Sequence, residues 1–287
     1  MNIDSTLIAP HAPLPLQQHE NYVKVLHDAG VDVRLEHWND AAQAVVIKRK
    51  FGLIGPVRFA SRGPVWGRVM TGAAQADLLR GARLHIINAD GLGHGALHAA
   101  GYRQIITPQY IAELQILADP HRQKALCHQK WRNRLHQATS TKLRLEHRPF
   151  DLDKDKWVFH ADHAQQQTKK FRALPHDLVV RYARAFPQQT QIMLGRVGKD
   201  IVSAMLFLLH GAVATYQIGW TNEGGRAVSA HHLMLMTAAQ HLAEQGVRRL
   251  DMGNVDTDTA PGLARFKIGS GATVRALGGT WLKLPLL

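Results

Sequence analysis

The sequence predicts a mixed α+β protein with two similar halves, each holding a mostly antiparallel, twisted sheet flanked by helices. A length of 287 residues with 45% hydrophobic content is sufficient for two ordinary domains. Both halves repeat the order helix, several strands, helix and further strands. Residues 191–220 form three strand-like runs separated only by tight turns, which is typical of an antiparallel meander.

In the first half, apolar spacing and turn residues place each element. One helix ends before Gly30 and another before Gly81, because glycine favours helix termini. Two strands are predicted to form a hairpin through residues 52–55, and residues 61–66 (SRGPVW) to form a sharp loop. The predicted helices are 17–29, 73–79 and 96–100, and the predicted strands are 31–38, 44–48, 56–60, 84–88 and 102–107.

A basic helix over residues 124–140 is predicted to join the halves. Leu126, Trp131 and Leu135 share its apolar face, and most of its cations fall elsewhere. The predicted domains are therefore residues 1–125 and residues 126–287, the second opening with this helix.

In the second half, residues 222–229 form a glycine-containing loop between the meander and a long helix. The predicted helices are 162–170, 175–186, 229–244 and 261–268, and the predicted strands are 191–197, 201–210, 212–220 and 247–252. Residues 273–283 close the chain as a strand or hairpin.

The formal net charge of +13 favours an anionic partner, which is a nucleic acid, a phosphorylated cofactor or an anionic membrane surface. The single cysteine, Cys127, excludes an intramolecular disulfide and is expected to pack within a helix. No secretory signal pattern is found in residues 1–18, and the longest apolar run, 201–209, is too short to span a bilayer. We therefore expect a cytoplasmic protein, whose oligomeric state the sequence leaves open.

The glycine-containing loop is a candidate phosphate site. Gly224 and Gly225 lie in it, and Ser229 is positioned to cap the following helix. Backbone N–H groups at such a helix start bind phosphate, and Arg226 can add a charge-assisted contact. The same pattern also fits a flexible turn with an ordinary cap.

Candidate catalytic groups follow this loop. Asp251, near the end of a strand, can orient an incoming ammonium group or cap the next turn. Lys267 can stabilise an oxyanion, bind phosphate or lie at the surface, and Phe266 beside it can pack against a donor. His232, at the start of the long helix, can accept a proton or serve in packing.

No metal site is expected. His160, Asp162 and His163 have the residue types of ligands, but no third cluster completes a zinc site at a suitable spacing. The acidic residues Asp256 and Asp258 do not belong to a calcium loop. The sequence also lacks the Gly-x-Ser-x-Gly, Walker and dinucleotide motifs.

Residues 232–246, 249–253 (RLDMG) and 262–267 (GLARFK), followed by Gly269, resemble in this order the C-terminal domain of the FemABX family, within the GNAT superfamily. Residues 62–66 (RGPVW) are similar to the family's Arg-Gly-Pro element, and 130–134 (KWRNR) to its basic linker helix. The resemblance covers most of the chain. It implies tandem GNAT domains, an active cleft at or near the domain junction, and a position for Phe266 and Lys267 near the reacting end of the donor.

The resemblance implies an N-acyltransferase that moves an acyl group from acyl-CoA, or a similar activated donor, to a small-molecule amine. FemABX members move aminoacyl groups from tRNA onto cell-wall precursors, so a tRNA-dependent aminoacyltransferase is one alternative. A non-catalytic binding module is another, because fold does not imply function. The chain lacks the coiled-coil insertion of some tRNA-dependent members, and its loop at 224–225 is not the full pyrophosphate loop of CoA-dependent members. The donor therefore stays open.

Four further residues are candidate substrate contacts. Arg62 and Trp66 lie in the Arg-Gly-Pro element, Tyr216 lies in the strand before the glycine-containing loop, and Asn254 follows the RLDMG run.

Overall fold

A computed structural model describes residues 13–52, 55–91, 93–169 and 174–283 of the chain. These residues form two compact units. The first comprises the described residues up to Ile111 together with those from Arg275 onward, and the second comprises Ala112–Val274. This division differs from the predicted boundary at residues 125 and 126 in two ways: residues 112–125 belong to the second unit, and the last strand of the chain returns to the first unit's sheet.

The first sheet follows the order β1-β2-β3-β5-β14-β6, with β4 paired to β2. All its pairings are antiparallel except that of β3 with β5. The strands are β1 (Asp32–Trp38), β2 (Ala42–Phe51), β3 (Gly55–Ser61), β4 (Val65–Trp66), β5 (Ile86–Ala89), β6 (Arg103–Ile106) and β14 (Gly279–Leu282), and the helices are α1 (Glu20–Asp28), α2 (Gly72–Gly81) and α3 (His94–Ala99).

The second sheet follows the order β13-β7-β12-β11-β10-β9-β8. Strands β8 to β11 pair antiparallel, as the meander predicts, and β11 pairs parallel with β12. The strands are β7 (Tyr110–Gln115), β8 (Leu143–Pro149), β9 (Thr190–Val197), β10 (Asp200–His210), β11 (Val213–Thr221), β12 (Arg249–Asn254) and β13 (Thr273–Ala276). The helices are α4 (Pro120–Ala125), α5 (Gln129–Thr139), α6 (Trp157–Lys169), α7 (His176–Ala185), α8 (Glu223–Ala227), α9 (Ala230–Glu244) and α10 (Pro261–Gly269).

Each unit has its own apolar core. In the second unit, β10 is buried from Val202 to His210 on both faces, which explains its continuous apolar sequence. One face of this strand packs against the apolar side of α9, including Met234 and Leu235. In the first unit, Ile87 and Trp281 are fully buried among the residues of α2 and α3.

The order of three antiparallel strands, a helix, a parallel strand and a helix occurs twice. It runs β1-β2-β3-α2-β5-α3 in the first unit and β9-β10-β11-α9-β12-α10 in the second, where α8 precedes α9. The predicted fold class, with two mostly antiparallel sheets flanked by helices, is therefore confirmed.

The basic region is not the single helix predicted over residues 124–140. Asp119 caps α4 by accepting the N–H of His121 at 2.8 Å, and the chain breaks before α5, where the His128 N–H donates to the Gly269 carbonyl at 2.9 Å. Trp131 is buried as predicted, whereas Leu126 lies in the break and is 41% exposed.

The closing segment forms two strands in different sheets, β13 and β14, rather than one strand or a hairpin. Strands β7 and β8 and the short strand β4 were not predicted either. The predicted hairpin of β2 and β3 is present, although residues 53–54 of its turn lie outside the described residues. Residue 170, the predicted end of α6, also lies outside them. Among the helices that the structure describes, none has the length and apolar character needed to cross a bilayer.

Candidate functional site

In the second sheet, the parallel strands β11 and β12 pair over only three residues each. The pairs are Val213 with Arg249, Ala214 with Leu250 and Thr215 with Asp251. A bulge then shifts the register of β11 against β10, so that Phe207 faces Tyr216 while Leu206 faces Ile218. Bulges bend the strand that carries them. The two strands therefore part after Thr215 and Asp251, and the candidate groups lie around this point.

Asp251 is the last paired residue of β12 and is only 4% exposed. Its Oδ1 accepts the Gly253 N–H at 2.8 Å, and the φ of +71° at Gly253 is a conformation that favours glycine. The turn-capping contact that the sequence allowed is thus present. The same buried carboxylate also acts electrostatically on Lys267.

Lys267, on α10, is buried with 5% exposure. Its Nζ donates a hydrogen bond to the Asn254 carbonyl at 2.7 Å. Burial lowers the pKa of Lys267 to about 8, and the Asp251 carboxylate opposes this shift. The sequence left open a surface position for this lysine. The structure instead places a buried ammonium group beside the point where the strands part.

An aromatic group surrounds the start of α9. The His232 ring lies 4.9 Å from the Trp131 ring and 5.4 Å from the Phe266 ring, centroid to centroid. Trp131 Nε1 donates to the Phe266 carbonyl at 3.1 Å, which ties α5 to α10. Burial lowers the pKa of His232 to about 4, so its imidazole is neutral at pH 7. His231 is held by a 2.9 Å hydrogen bond to the Trp220 carbonyl.

The predicted glycine-containing loop is largely helical. Asn222 caps α8 by accepting the Gly225 N–H at 2.9 Å. A side chain at Gly225 would clash with the Thr221 hydroxyl and the Val202 carbonyl, so close packing requires glycine there. Gly224 is exposed, and so is Arg226, which donates to the Thr221 carbonyl at 3.0 Å.

Ser229 precedes α9 but does not cap it through its side chain, contrary to the prediction. Its backbone is left-handed, with a φ of +52°, and its side chain is buried. The hydroxyl instead donates to Gln137 Oε1 on α5 at 3.3 Å.

The two other candidates of the second unit flank the same region. Asn254 is exposed, and its carbonyl holds Lys267. The Tyr216 ring lies 5.7 Å from the Phe207 ring, and its hydroxyl lies over Gly219, where a side chain would clash. Burial and the nearby Asp162 carboxylate raise the pKa of Tyr216 above its ordinary value.

Arg62 and Trp66 belong to the first unit. Arg62 has a left-handed φ of +55° and donates through Nε to Asp90 at 3.0 Å, with both side chains buried. Trp66 forms β4 with Val65 and packs half-buried against the first unit's core.

No group of three or more histidine, cysteine or acidic residues that could hold a metal ion occurs in the described parts of the chain. In the His160–Asp162–His163 cluster, Asp162 bonds His176 at 2.8 Å, and His163 bonds Gln167 at 2.9 Å. Cys127 is buried, and burial raises the pKa of its thiol to about 11.

Sequence reasoning did not connect α5 with the site. Trp131 contacts both His232 and Phe266, and Gln137 contacts Ser229. The apolar face of α5 predicts that this side of the helix is buried, but it does not identify the residues that pack against it.

Residues 121–267, slightly more than half of the chain, match the profile of a protein family described as acetyltransferase (GNAT) domain. The fold is similar to that of FemX, with a TM-score of 0.75 and 14% identity over 96% of this chain and 93% of that one. It is also similar to L-PGS from Bacillus licheniformis, with a TM-score of 0.52 and 12% identity over 96% and 94% of the two chains. No curated protein sequence matches the chain.

Proposed function

We propose that this protein moves an acyl group from acyl-CoA, or a similarly activated donor, to an amine. The chain belongs to the acetyltransferase (GNAT) domain family, and it is an acyltransferase with a FemABX-like tandem fold. The observation that carries this proposal is the buried ammonium group of Lys267, at the point where β11 and β12 part. A charge buried in this way is costly, so it is typical of a functional site.

In the proposed reaction, the nitrogen of a neutral amine attacks the carbonyl carbon of a thioester or ester. The carbonyl oxygen takes up negative charge, and the Lys267 ammonium group stabilises it. The carbon–sulfur or carbon–oxygen bond then breaks, the leaving group takes up a proton, and the amine loses one. Since the pKa of Lys267 is about 8, the residue is mostly protonated at pH 7.

Asp251 and His232 have different proposed roles. Asp251 is a buried carboxylate that favours the charged form of Lys267 and can orient an incoming ammonium group. His232 is neutral at pH 7, because burial keeps its pKa near 4. It can accept an amine proton only transiently, and bulk water then takes the proton from it.

The donor is proposed to lie with its acyl end near Phe266. The residues that the sequence suggests for its phosphates, Gly224, Gly225, Arg226 and Ser229, lie at the junction of α8 and α9. Phe266 is half-buried and next to Lys267, which suits a contact with the acyl end. For the acceptor amine, we propose contacts with Tyr216 and Asn254, which belong to the same unit as Lys267.

A tRNA-dependent aminoacyltransferase is the second candidate. One observation favours it: residues 120–145 contain seven lysine and arginine residues and no acidic residue. Such an excess of positive charge suits the phosphate backbone of RNA. A carbonyl ester on RNA would undergo the same attack as a thioester.

The two candidates are separated by offering the purified protein a panel of acyl-CoAs and aminoacyl-tRNAs, with a mixture of amines as acceptors. We expect an acyl-CoA to raise the melting temperature and to release free CoA thiol. A ligand at one hundred times its Kd stabilises by about 2.7 kcal/mol. Consumption of an aminoacyl-tRNA alone would establish the second candidate. No acyl transfer from any donor to any amine would overturn both.

A further inference from the structure

Helix α5 carries an exposed stripe formed by Lys130, Arg134 and Gln137, which we name the α5 stripe. We propose that the α5 stripe, rather than the glycine pair of α8, binds the phosphate groups of the acyl donor. This proposal rests on the proposed function and specifies where that donor is held.

The α5 stripe lies in an unusual stretch of sequence. Residues 120–145 contain seven lysine and arginine residues, three histidines and no aspartate or glutamate. Within the described residues, none of the seven cations forms an ion pair with a carboxylate. Elsewhere in the second unit, Arg148, Arg181 and Arg249 each have a carboxylate partner. The positive charge of this stretch is therefore left for an anion from outside the chain.

Helix geometry places the stripe on one side of α5. Lys130, Arg134 and Gln137 are spaced i, i+4 and i+7, so their side chains follow one another along the helix. All three are exposed, whereas Trp131 and Leu135 on the neighbouring face are buried. Two cations and an amide in a row can contact successive phosphate oxygens.

The α5 stripe adjoins the candidate site. Gln137 Oε1 accepts both the Ser229 hydroxyl and an Arg134 N–H, each at 3.3 Å. Arg134 is also close enough to His232 to act on it electrostatically. On the buried side of the helix, Trp131 contacts His232 and Phe266. A donor with its acyl end near Phe266 can therefore reach the stripe with its phosphates.

The glycine pair of α8 is less suited to this role. The Gly225 N–H donates to Asn222 Oδ1 at 2.9 Å, and a side chain at Gly225 would clash with the Val202 carbonyl, so this glycine serves close packing. The Ser229 N–H donates to the Arg226 carbonyl at 3.1 Å. The N–H groups of Gly225 and Ser229 are therefore already used within the chain.

The test measures binding of two phosphate-bearing probes, acetyl-CoA and a duplex RNA with the sequence of a tRNA acceptor stem. The double variant Lys130→Gln, Arg134→Gln removes the two charges of the stripe. Arg184→Gln is the matched control, because Arg184 is an exposed arginine on α7 with no part in the site. Circular dichroism verifies that all variants are folded.

We expect the double variant to raise the Kd of at least one probe by about tenfold or more, because two charge-assisted contacts are lost. The control variant should change the Kd of either probe by less than about twofold. For duplex RNA, the slope of log K against log salt should fall by about 1.8 between 50 and 200 mM salt, or about 0.9 per phosphate contact. A loss for acetyl-CoA alone identifies CoA phosphates as the ligand, and a loss for RNA alone identifies an RNA-linked donor. Unchanged affinity for both probes, no binding of either probe to the wild type, or an equal loss in the control would overturn the proposal.

A donor without phosphates separates this proposal from the proposed function. With acetyl-pantetheine, which has no phosphate group, the double variant should lose much less turnover than it loses with acetyl-CoA. If the wild type binds a probe through the stripe but acylates no amine, the proposed function fails and the phosphate surface stands. An equal loss of turnover with both donors would contradict a role in phosphate binding.

Discussion

Each unit contains a corresponding pair of parallel strands, β3 and β5 in the first unit and β11 and β12 in the second, but the residues at the ends of the two pairs differ. In the first unit, β3 and β5 pair up to Ser61 and Asn88, and the next charged residues, Arg62 and Asp90, form a buried ion pair across the strand ends. In the second unit, β11 and β12 pair up to Thr215 and Asp251 and then part. The strand ends at Arg62 and Asp90 are therefore bridged by side chains, and we call them the closed end; the strand ends at Thr215 and Asp251 part, and we call them the open end.

The charges at the two ends differ as well. Asp90 receives Arg62 and also Arg275, so its carboxylate is held by two guanidinium groups. At the other end, the Lys267 ammonium group donates to a backbone carbonyl, and burial lowers its pKa to about 8. A buried pair with complete partners stabilises a structure, whereas a cation with a perturbed pKa is typical of chemistry. We therefore propose that catalysis takes place in the second unit.

The largest expected effect concerns the closed end. Asp90→Ala leaves Arg62 buried without its carboxylate, and breaking a buried pair costs about 3–5 kcal/mol in the free energy of unfolding. Urea denaturation measures this loss. Asp40→Ala is the control, because its ion pair with Arg68 is exposed and is worth less than about 1 kcal/mol. Equal stability of the two variants would show that the first unit is not closed by this pair.

The next effect concerns the open end. Lys267→Met keeps the apolar stem and removes the charge, so we expect turnover to fall by roughly a hundredfold with little change in KM, as for the loss of one oxyanion donor. Lys267→Arg should restore only part of the rate, because its shape and reach differ. Arg265→Met, on the exposed side of the same helix, is the control and should leave both parameters unchanged. A rise in KM alone would make Lys267 a donor-binding residue.

The same variant should be more stable than the wild type at neutral pH. The folded-state pKa of Lys267, about 8, lies below its ordinary value of 10.5, so charging it opposes folding by roughly 3 kcal/mol, before the lost hydrogen bond is counted. Between these pKa values the unfolded chain binds more protons, so wild-type stability rises with pH. We expect Lys267→Met to gain about 1–2 kcal/mol at pH 7 and to lose this advantage by pH 10, as measured by urea denaturation. A gain that is independent of pH would mean that packing, not charge, is responsible.

Local patterns predicted most of the second unit's framework. The apolar runs and tight turns of residues 191–220 are local features of the sequence, and β9, β10 and β11 lie where those features place them. Contacts between residues far apart in the sequence could not be predicted from local patterns. The split of residues 273–283 between two sheets depends on partners far away in sequence, and the break before α5 depends on a bond from His128 to Gly269.

The candidate site also depends on contacts between distant residues, which local patterns do not predict. Asp251 and Lys267 were selected as residue types, but they influence each other because Lys267 on α10 reaches the end of β12, where it donates to the Asn254 carbonyl. The glycine pair is an ambiguous signal, since glycine serves both phosphate loops and close packing. At Gly225 the neighbouring Val202 and Thr221 decide in favour of packing, and neither is adjacent to it in sequence.

The smallest expected effect tests whether the α8 segment contributes to the open end at all. Arg226 is exposed, and its guanidinium donates to the Thr221 carbonyl. A contact between an exposed cation and a phosphate is worth about 0–1 kcal/mol, because water screens it. Arg226→Ala should therefore weaken acetyl-CoA binding by less than about fivefold, measured by calorimetry at fixed salt, while Lys267-dependent turnover stays intact. A loss of acetyl-CoA affinity of a hundredfold or more would show that Arg226 makes a buried contact with the bound donor. In that case α8 would close over the donor when it binds.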